Sequence, residues 1–319
     1  MNASLGSTIG IDLGGTNIKG GIVDAVGALA HRKSIETQGA GGFQHVLQRI
    51  IDLINELRGA STEVPAAVGV GVPGPMSHER GFIYAAPNLP GWVNIPLRDL
   101  LQQAVKLPVS IENDANAAAY GEYVAGAGRD TRHMVMLTLG TGVGGGVVVN
   151  GKLTRGHFDN AGEVGHMIVY PGGRACPCGQ LGCLERYSSA SAVGERLIEK
   201  MQAGRHSSLT SRHERGEPIT SADVAHAARE GCPLSAETWL EACQGLAICC
   251  VNLQHILNPE RIVLAGGLIN AGDQLLSCVR SEFQKLTWKI APDHPTIELA
   301  TLGGDAGTIG AAALAMNAE

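Results

Sequence analysis

The segment EVGHMIVYPGGRACPCGQLGCLE, residues 163–185, brings one imidazole and three thiols together: His166, Cys176, Cys178 and Cys183. Three thiolates and one imidazole complete a tetrahedral zinc shell with no ligand position left for water, so such a metal would be architectural rather than a Lewis acid. A disulfide is the alternative use of these cysteines. A second chemistry is legible in two glycine-rich turns. IDLGGTNIKGGIVD lies over LTLGTGVGGGVVVN at a constant offset of 126 residues (Asp12 to Thr138), which also sets Gly14 on Gly140 and Gly20 on Gly146. Each copy reads as a β-hairpin whose Gly/Thr turn can point backbone N–H groups at an anion, and two such turns facing one cleft would clamp a polyphosphate. Each copy alone also reads as an ordinary glycine hairpin. Neither is a Walker loop, and the run from Gly140 to Gly145 continues into Val147–Val149, a strand, where a dinucleotide fingerprint would open a helix. Asp12 can stand beside phosphates only with a cation between them, and Mg²⁺ held largely through its own waters meets that need. A turn-forming aspartate is the other reading of Asp12. Lys19 is either a phosphate counter-charge or a residue of the exposed strand face.

These residues need elements to position them. From Thr8 to about Leu107 the pattern predicts strand, strand, strand, helix, strand, helix. GGFQHVLQRIIDLINELRG places Phe43, Val46, Leu47, Ile50, Ile51, Ile54 and Leu57 at helical spacing, with Gly59 as a stop. AAVGVGVPGP reads as a buried strand ending in a Pro/Gly loop. PVSI before Asp114 reads as a strand and ANAAAYGEY after it as a helix, which makes Asp114 an N-cap and therefore a weak base. A second unit opens near Ala117, with strands at 133–139 and 144–149 and helices near 188–203, 221–230 and 234–257. RIVLAGGLI is a strand running into a Gly-Gly turn, and the helix after Gly272 and the tail GDAGTIGAAALAM close the chain. The pattern is α/β alternation in two units.

Composition bounds the functions. At 319 residues the chain suits two domains of ~150 residues, and 44% hydrophobic against 17% charged residues excludes disorder and coiled coil. The 44 glycines have no Gly-X-Y period, which excludes collagen and points to tight turns and close backbone approach. Only 4% of residues are aromatic, the net charge is −6 and no basic run occurs, so a polymeric nucleic-acid partner is not expected. The start MNASLGSTIGIDLGG has neither a basic nor an apolar leader pattern, and no later stretch is expected to approach 18 apolar residues, so the expectation is a cytoplasmic protein away from membranes. The other five cysteines, Cys232, Cys243, Cys249, Cys250 and Cys278, read as small buried hydrophobes.

In chain order DLGGTNIKG, ENDANAAAYGE, LGTGVGGG, EVGH followed by CPCGQLGCLE, and VLAGGLI resemble the ROK family of sugar kinases and sugar-responsive repressors, from about Thr8 to Ala315. APNLPGW before IPLRDLL resembles its glucokinases. The resemblance implies a two-lobed, actin-like ATPase (ribonuclease H-like) α/β fold with a central cleft. Its lobes would be 1–116 plus about 305–319, the tail helix crossing back, and 117–304 with a zinc loop at 163–185. It implies Asp114 as general base on a sugar hydroxyl, and Asn113, Gly74, Glu163, His166 and Glu185 as sugar contacts. If one ring nitrogen of His166 holds the zinc, the other is left as a donor for the sugar. Phosphates would lie against Gly14, Gly15, Thr16, Gly140, Thr141 and Gly142, with Asp12 near, and adenosine against Gly266 and Gly267. The implied activity is an ATP-dependent hexose kinase, a glucokinase making glucose 6-phosphate, with structural Zn, Mg with ATP, and a homodimeric assembly. N-acetylmannosamine, N-acetylglucosamine or fructose are alternative acceptors, and polyphosphate is an alternative donor. A non-catalytic sugar-sensing regulator is the rival of another class. It would need a DNA-binding extension, and only about seven residues precede the first strand.

Overall fold

In the computed structural model, residues 6–317 other than Pro87 and Ala291 are described; the first proline of APNLPGW and the extreme ends of the expected first lobe lie outside them. The first strands are β1 (Thr8–Leu13), β2 (Asn17–Val23) and β3 (Leu29–Glu36), an antiparallel meander with Ile11 opposite Gly20 and Leu13 opposite Ile18. Helix α1 (Gly42–Ala60) buries Val46, Leu47, Ile50, Leu53, Ile54 and Leu57 in the core with β1. Phe43 and Ile51 are only partly buried at the edge of that stripe. Next come β4 (Val68–Val72), the short β5 (Met76–Ser77), β6 (Phe82–Ala85) and β7 (Val93–Ile95), then α2 (Leu97–Val105), β8 (Val109–Asn113) and α3 (Asp114–Ala125). The main sheet has the order β3-β2-β1-β4-β8, with β4 parallel to both neighbours. β4 is buried along its whole length, as a parallel strand covered on both faces must be. β5, β6 and β7 make an antiparallel sheet of their own that the sequence pattern does not announce, since each is two to four residues long.

The pattern then recurs. β9 (Met134–Leu139), β10 (Val143–Val149) and β11 (Lys152–Leu153) are followed by α4 (Glu185–Ser188), α5 (Ala190–Gln202), α6 (Thr210–Glu214), α7 (Ser221–Arg229) and α8 (Pro233–Leu257). β12 (Arg261–Ala265), α9 (Asp273–Leu286), β13 (Thr296–Leu299) and α10 (Ala306–Met316) complete the chain. The second sheet has the order β11-β10-β9-β12-β13, with β12 parallel to β9 and β13. β9 and β10 begin and end 126 residues after β1 and β2, so the offset read from the glycine turns holds for whole strands.

Two expectations are corrected here. The helix expected near 188–203 is broken at Ser189, whose extended backbone and side-chain bond from Ala192 N start α5 afresh. α8 is 25 residues long and apolar enough, by length and composition, to count as a candidate membrane span, against the expectation that no stretch comes near 18 apolar residues. It packs on α4, α5, α7 and α9, and 56% of its 18-residue apolar window is buried inside the protein. Cys232, Cys243, Cys249 and Cys250 are buried and Cys278 is half-buried.

Two compact units divide the chain. One runs to Arg132 and adds Gly146–Gly162 and the residues from Thr301 onward; the other is His133–Gly145 with Glu163–Ala300. α3, which the sequence reading divided at Ala117, belongs wholly to the first unit, because α10 packs along it. That packing brings backbone against backbone. A Cβ at Gly310 would stand 1.7 Å from the Ala117 carbonyl oxygen, and one at Gly69 would stand 1.9 Å from that of Ala311; Gly10 and Gly121 face α10 in the same manner. Overpacking of this kind costs typically 1–3 kcal/mol, and here the obstacle is backbone that cannot swing aside. Gly310→Ala is therefore expected to lower the unfolding free energy by about 3 kcal/mol. Urea denaturation, read as a reduced midpoint at constant slope, checks it.

Candidate functional site

In the first unit, β8 runs parallel to β4 with Gly71 opposite Glu112 and Val72 opposite Asn113, and it ends where α3 begins. The helix cap is Asn113, not Asp114 as the sequence suggested. Asn113 has extended backbone (φ −60°, ψ 142°), and its Oδ1 accepts from Ala115 N at 2.9 Å and Asn116 N at 3.1 Å. Asp114 is the first helical residue, half-buried, its Oδ1 accepting from Ala115 N at 2.8 Å. A carboxylate in the first turn is favoured by the helix dipole. Gly74 has φ +89°, and a Cβ there would meet the Ala85 carbonyl oxygen at 2.2 Å, so the loop GVPGP presents bare backbone at this point.

The first turn closes through Gly14 N to Asn17 O at 3.0 Å and is braced by Thr37, whose Oγ1 donates to Gly14 O at 2.6 Å and whose N–H donates to Thr16 O at 2.8 Å. Gly15 and Thr16 are left exposed at its tip. Asp12 sits opposite Lys19 in the strand pairing, and Lys19 Nζ donates to Gly304 O at 3.1 Å, so the lysine is tied to the start of the α10 segment. Burial raises the Asp12 carboxyl above its ordinary value, and the nearby Lys19 charge offsets only part of that rise. The first turn of α10 presses on the same group: a Cβ at Gly307 would lie 2.8 Å from Asp12 Cγ.

In the second unit, Gly140 N donates to Gly142 O at 3.0 Å, and Ala190 N, the first residue of α5, donates to Gly140 O at 2.8 Å. Thr141 is exposed at the tip. Glu185, expected among the sugar residues, also supports this turn. Its Oε2 accepts from Val143 N at 3.0 Å, and a Cβ on Gly142 would come within 2.2 Å of that oxygen. Gly266 has φ +86° and lies against the backbone of Leu139 too closely for any side chain, whereas Gly267 faces open space. Beside Gly267 is a cavity of about 150 Å³ lined also by Asn270, Arg229, Trp239 and Gln274. Sequence reasoning missed these last four. They come from three helices and one turn with no shared spacing.

The His/Cys group closes as its composition suggests. One donor atom from each of His166, Cys176, Cys178 and Cys183 lies within 4.8 Å of every other, with Cys178 Sγ 3.6 Å from Cys183 Sγ and Cys176 Sγ 3.7 Å from His166 Nδ1. Donors ~2.0–2.3 Å from one tetrahedral ion would stand about 3.5–3.8 Å apart, so these four could hold a metal ion. The three cysteines are free thiols rather than a disulfide. Burial and the neighbouring thiols push Cys183 up to about 12, so a cation is what would let all three ionise together. Nδ1 is the ring nitrogen turned into the group. A 3₁₀ turn at Val164–His166, in which His166 N donates to Glu163 O at 3.1 Å, sets the exposed Glu163 next to it.

Against known proteins, the model of the ROK family matches residues 8–318. A protein named glucokinase from Halalkalibacterium halodurans is 38% identical over 308 residues, covering 95% of this chain and 92% of that one. The crystal structure of a ROK family glucokinase from Streptomyces griseus in complex with glucose and AMPPNP has a TM-score of 0.80 at 33% identity, covering 98% of this chain and all of that one. That of a ROK hexokinase from Thermus thermophilus has a TM-score of 0.82 at 32% identity, covering 96% and 97%.

The raised Asp12 carboxyl has a consequence for stability. Its folded-state value lies above the unfolded one, so the stability it contributes is complete below the ordinary aspartate range and is lost as pH rises through the folded value. Above that folded value the ionised side chain weighs against folding. Asp12→Asn should raise the thermal midpoint of the ligand-free protein at about pH 7 and lose that advantage near about pH 4. Scanning calorimetry at the two pH values checks it.

Proposed function

The chain belongs to the ROK family and has its actin-like ATPase fold, and on that basis we propose that it is an ATP-dependent glucokinase, transferring the γ-phosphoryl group to the primary hydroxyl of glucose. One observation carries the reading: likeness to a glucokinase bound to glucose and AMPPNP extends over 98% of a chain that holds two anion-ready turns related by a single repeat. Phosphoryl transfer asks the protein mainly for positioning and charge stabilisation. Gly14, Gly15 and Thr16 in one turn and Gly140, Thr141 and Gly142 in the other would cradle phosphates with backbone N–H groups. Adenosine would lie against Gly266 and Gly267, beside the small cavity of the second unit. Mg²⁺ accompanying ATP would balance Asp12 through its waters.

On the acceptor side, Asp114 takes the proton of the attacking hydroxyl. Its place in the first turn of α3 makes it a modest base with a fixed aim. Asn113, whose Oδ1 is engaged in the cap, offers its NH₂ to sugar oxygens, and the bare backbone at Gly74 allows close approach. Glu163 and Glu185 accept from sugar hydroxyls, Glu185 through the oxygen not bonded to Val143. His166 donates through Nε2, because Nδ1 faces the cysteines. Zinc held by His166, Cys176, Cys178 and Cys183 would supply shape and no reactive water. The family likeness also supports a cytoplasmic homodimer.

Three measurements test the reading. Asp114→Asn should lower kcat by about 10²-fold or more while glucose titration stays close to wild type; near-normal turnover would remove Asp114 from the base role. In a coupled assay over hexoses and N-acetylhexosamines with ATP and Mg²⁺, glucose should give the highest kcat/KM. Preference for N-acetylmannosamine, N-acetylglucosamine or fructose would overturn the acceptor and leave the kinase standing. Cys178→Ser should lose zinc by metal analysis and weaken glucose binding about 10-fold or more, with ATP affinity changed far less. A zinc-free variant that binds glucose normally would separate the metal from the sugar.

A further inference from the structure

Glu112, the residue before Asn113 and Asp114, is a carboxylate with 3% exposure at the end of β8, and none of the roles above uses it. An ion in such a place persists only where charge and hydrogen bonds replace its water. Both oxygens are supplied. Oε1 accepts from the backbone N–H of Asn113 at 3.0 Å and from Asn116 Nδ2 at 3.1 Å, and Oε2 accepts from Arg155 Nε at 2.7 Å. The His78 ring stands by the same side, Nδ1 3.5 Å from Oε2 and 2.9 Å from Ile111 O. All of these groups lie in the first unit.

The two donors to Oε1 bracket Asp114. Asn113 precedes it and caps α3, and Asn116 follows it by two residues within the first turn, itself 3% exposed. One carboxylate oxygen thus ties the last residue of the strand to the first turn of the helix, across the residue that has to be aimed. Arg155 balances the charge and links it to the segment leading to Glu163, where Ala161 N donates to Arg155 O at 2.9 Å and Asp159 Oδ2 accepts from His78 N at 3.0 Å.

We propose that Glu112 is a positioning residue for phosphoryl transfer: its Oε1 fixes the strand-to-helix junction that aims Asp114, and Arg155 makes the buried charge tolerable. The proposal rests on the kinase reading. A purely structural ion pair would behave differently from a positioning acceptor, and two double variants separate them. Glu112→Leu/Arg155→Met removes charge and acceptor together, a replacement that buried pairs often tolerate in stability. It should keep its thermal midpoint within a few degrees, leave KM for ATP unchanged and lose about 10- to 100-fold in kcat, the scale of a misplacement near 1 Å. Glu112→Gln/Arg155→Met restores a neutral acceptor for Asn113 and Asn116 and should return kcat to within about 3-fold of wild type. Wild-type kcat in the Leu/Met variant, or no recovery in the Gln/Met variant, overturns the proposal. Should the Leu/Met protein fail to fold, Asn116→Leu must show the same split, a lower kcat at unchanged KM for ATP, and a wild-type kcat there overturns it equally. Wild-type protein that phosphorylates no hexose from ATP would sink the kinase reading alone. The positioning claim is then decided by hydrogen exchange at the Ala115 and Asn116 amides, which must quicken in the Leu/Met variant and not in the Gln/Met variant.

Discussion

At four glycines no side chain stands between the last helix and the elements it covers. At Gly10, Gly69, Gly121 and Gly310 the backbone of α10 meets β1, β4 and α3 directly, and much of the first unit follows from that closeness. Because α10 sits so low, its opening turn reaches Asp12, and the aspartate is buried more deeply than a hairpin edge alone would bury it. Because α3 is clasped from its far side by α10, its first turn has a fixed partner, and the junction that carries Asn113 and Asp114 rests on a helix that cannot slide. A large share of the unusual glycine content is explained by this seam and by the turns, not by flexibility.

The second unit is organised around Glu185. It lies two residues after Cys183 on a four-residue helix that the Ser188 hydroxyl pins to Ala242 O at 2.8 Å, and its carboxylate accepts from the turn at Val143. Glu185 therefore stands beside the thiol group in sequence and supports the glycine turn in space. The cysteine loop and the glycine turn, which read as separate motifs, share a residue.

What was legible in the sequence is what repeats or has fixed spacing. The offset between the glycine turns holds for whole strands, and the strands expected at 133–139 and 144–149 start within one residue of where they lie, since a Gly/Thr turn between two apolar runs leaves little freedom of register. The His166–Cys183 group was legible because metal donors need only composition and proximity. The allegiance of α3 was not, because an alanine-rich helix has nearly the same face all round and its neighbour lies about 190 residues away. Asn113 and Asp114 are both good caps, and only backbone geometry separates them. Arg229, Trp239 and Gln274 gather round Gly267 from three helices, and Glu112 meets Arg155 across 43 residues; no local pattern encodes either.

The two hairpins are copies in backbone but not in charge. At equivalent positions one carries a half-buried carboxylate, Asp12, and the other a hydroxyl, Thr138. A carboxyl raised by burial in one copy and a neutral hydroxyl in the other leave the same backbone turn with a pH-dependent charge in the first unit and with none at the matching position of the second.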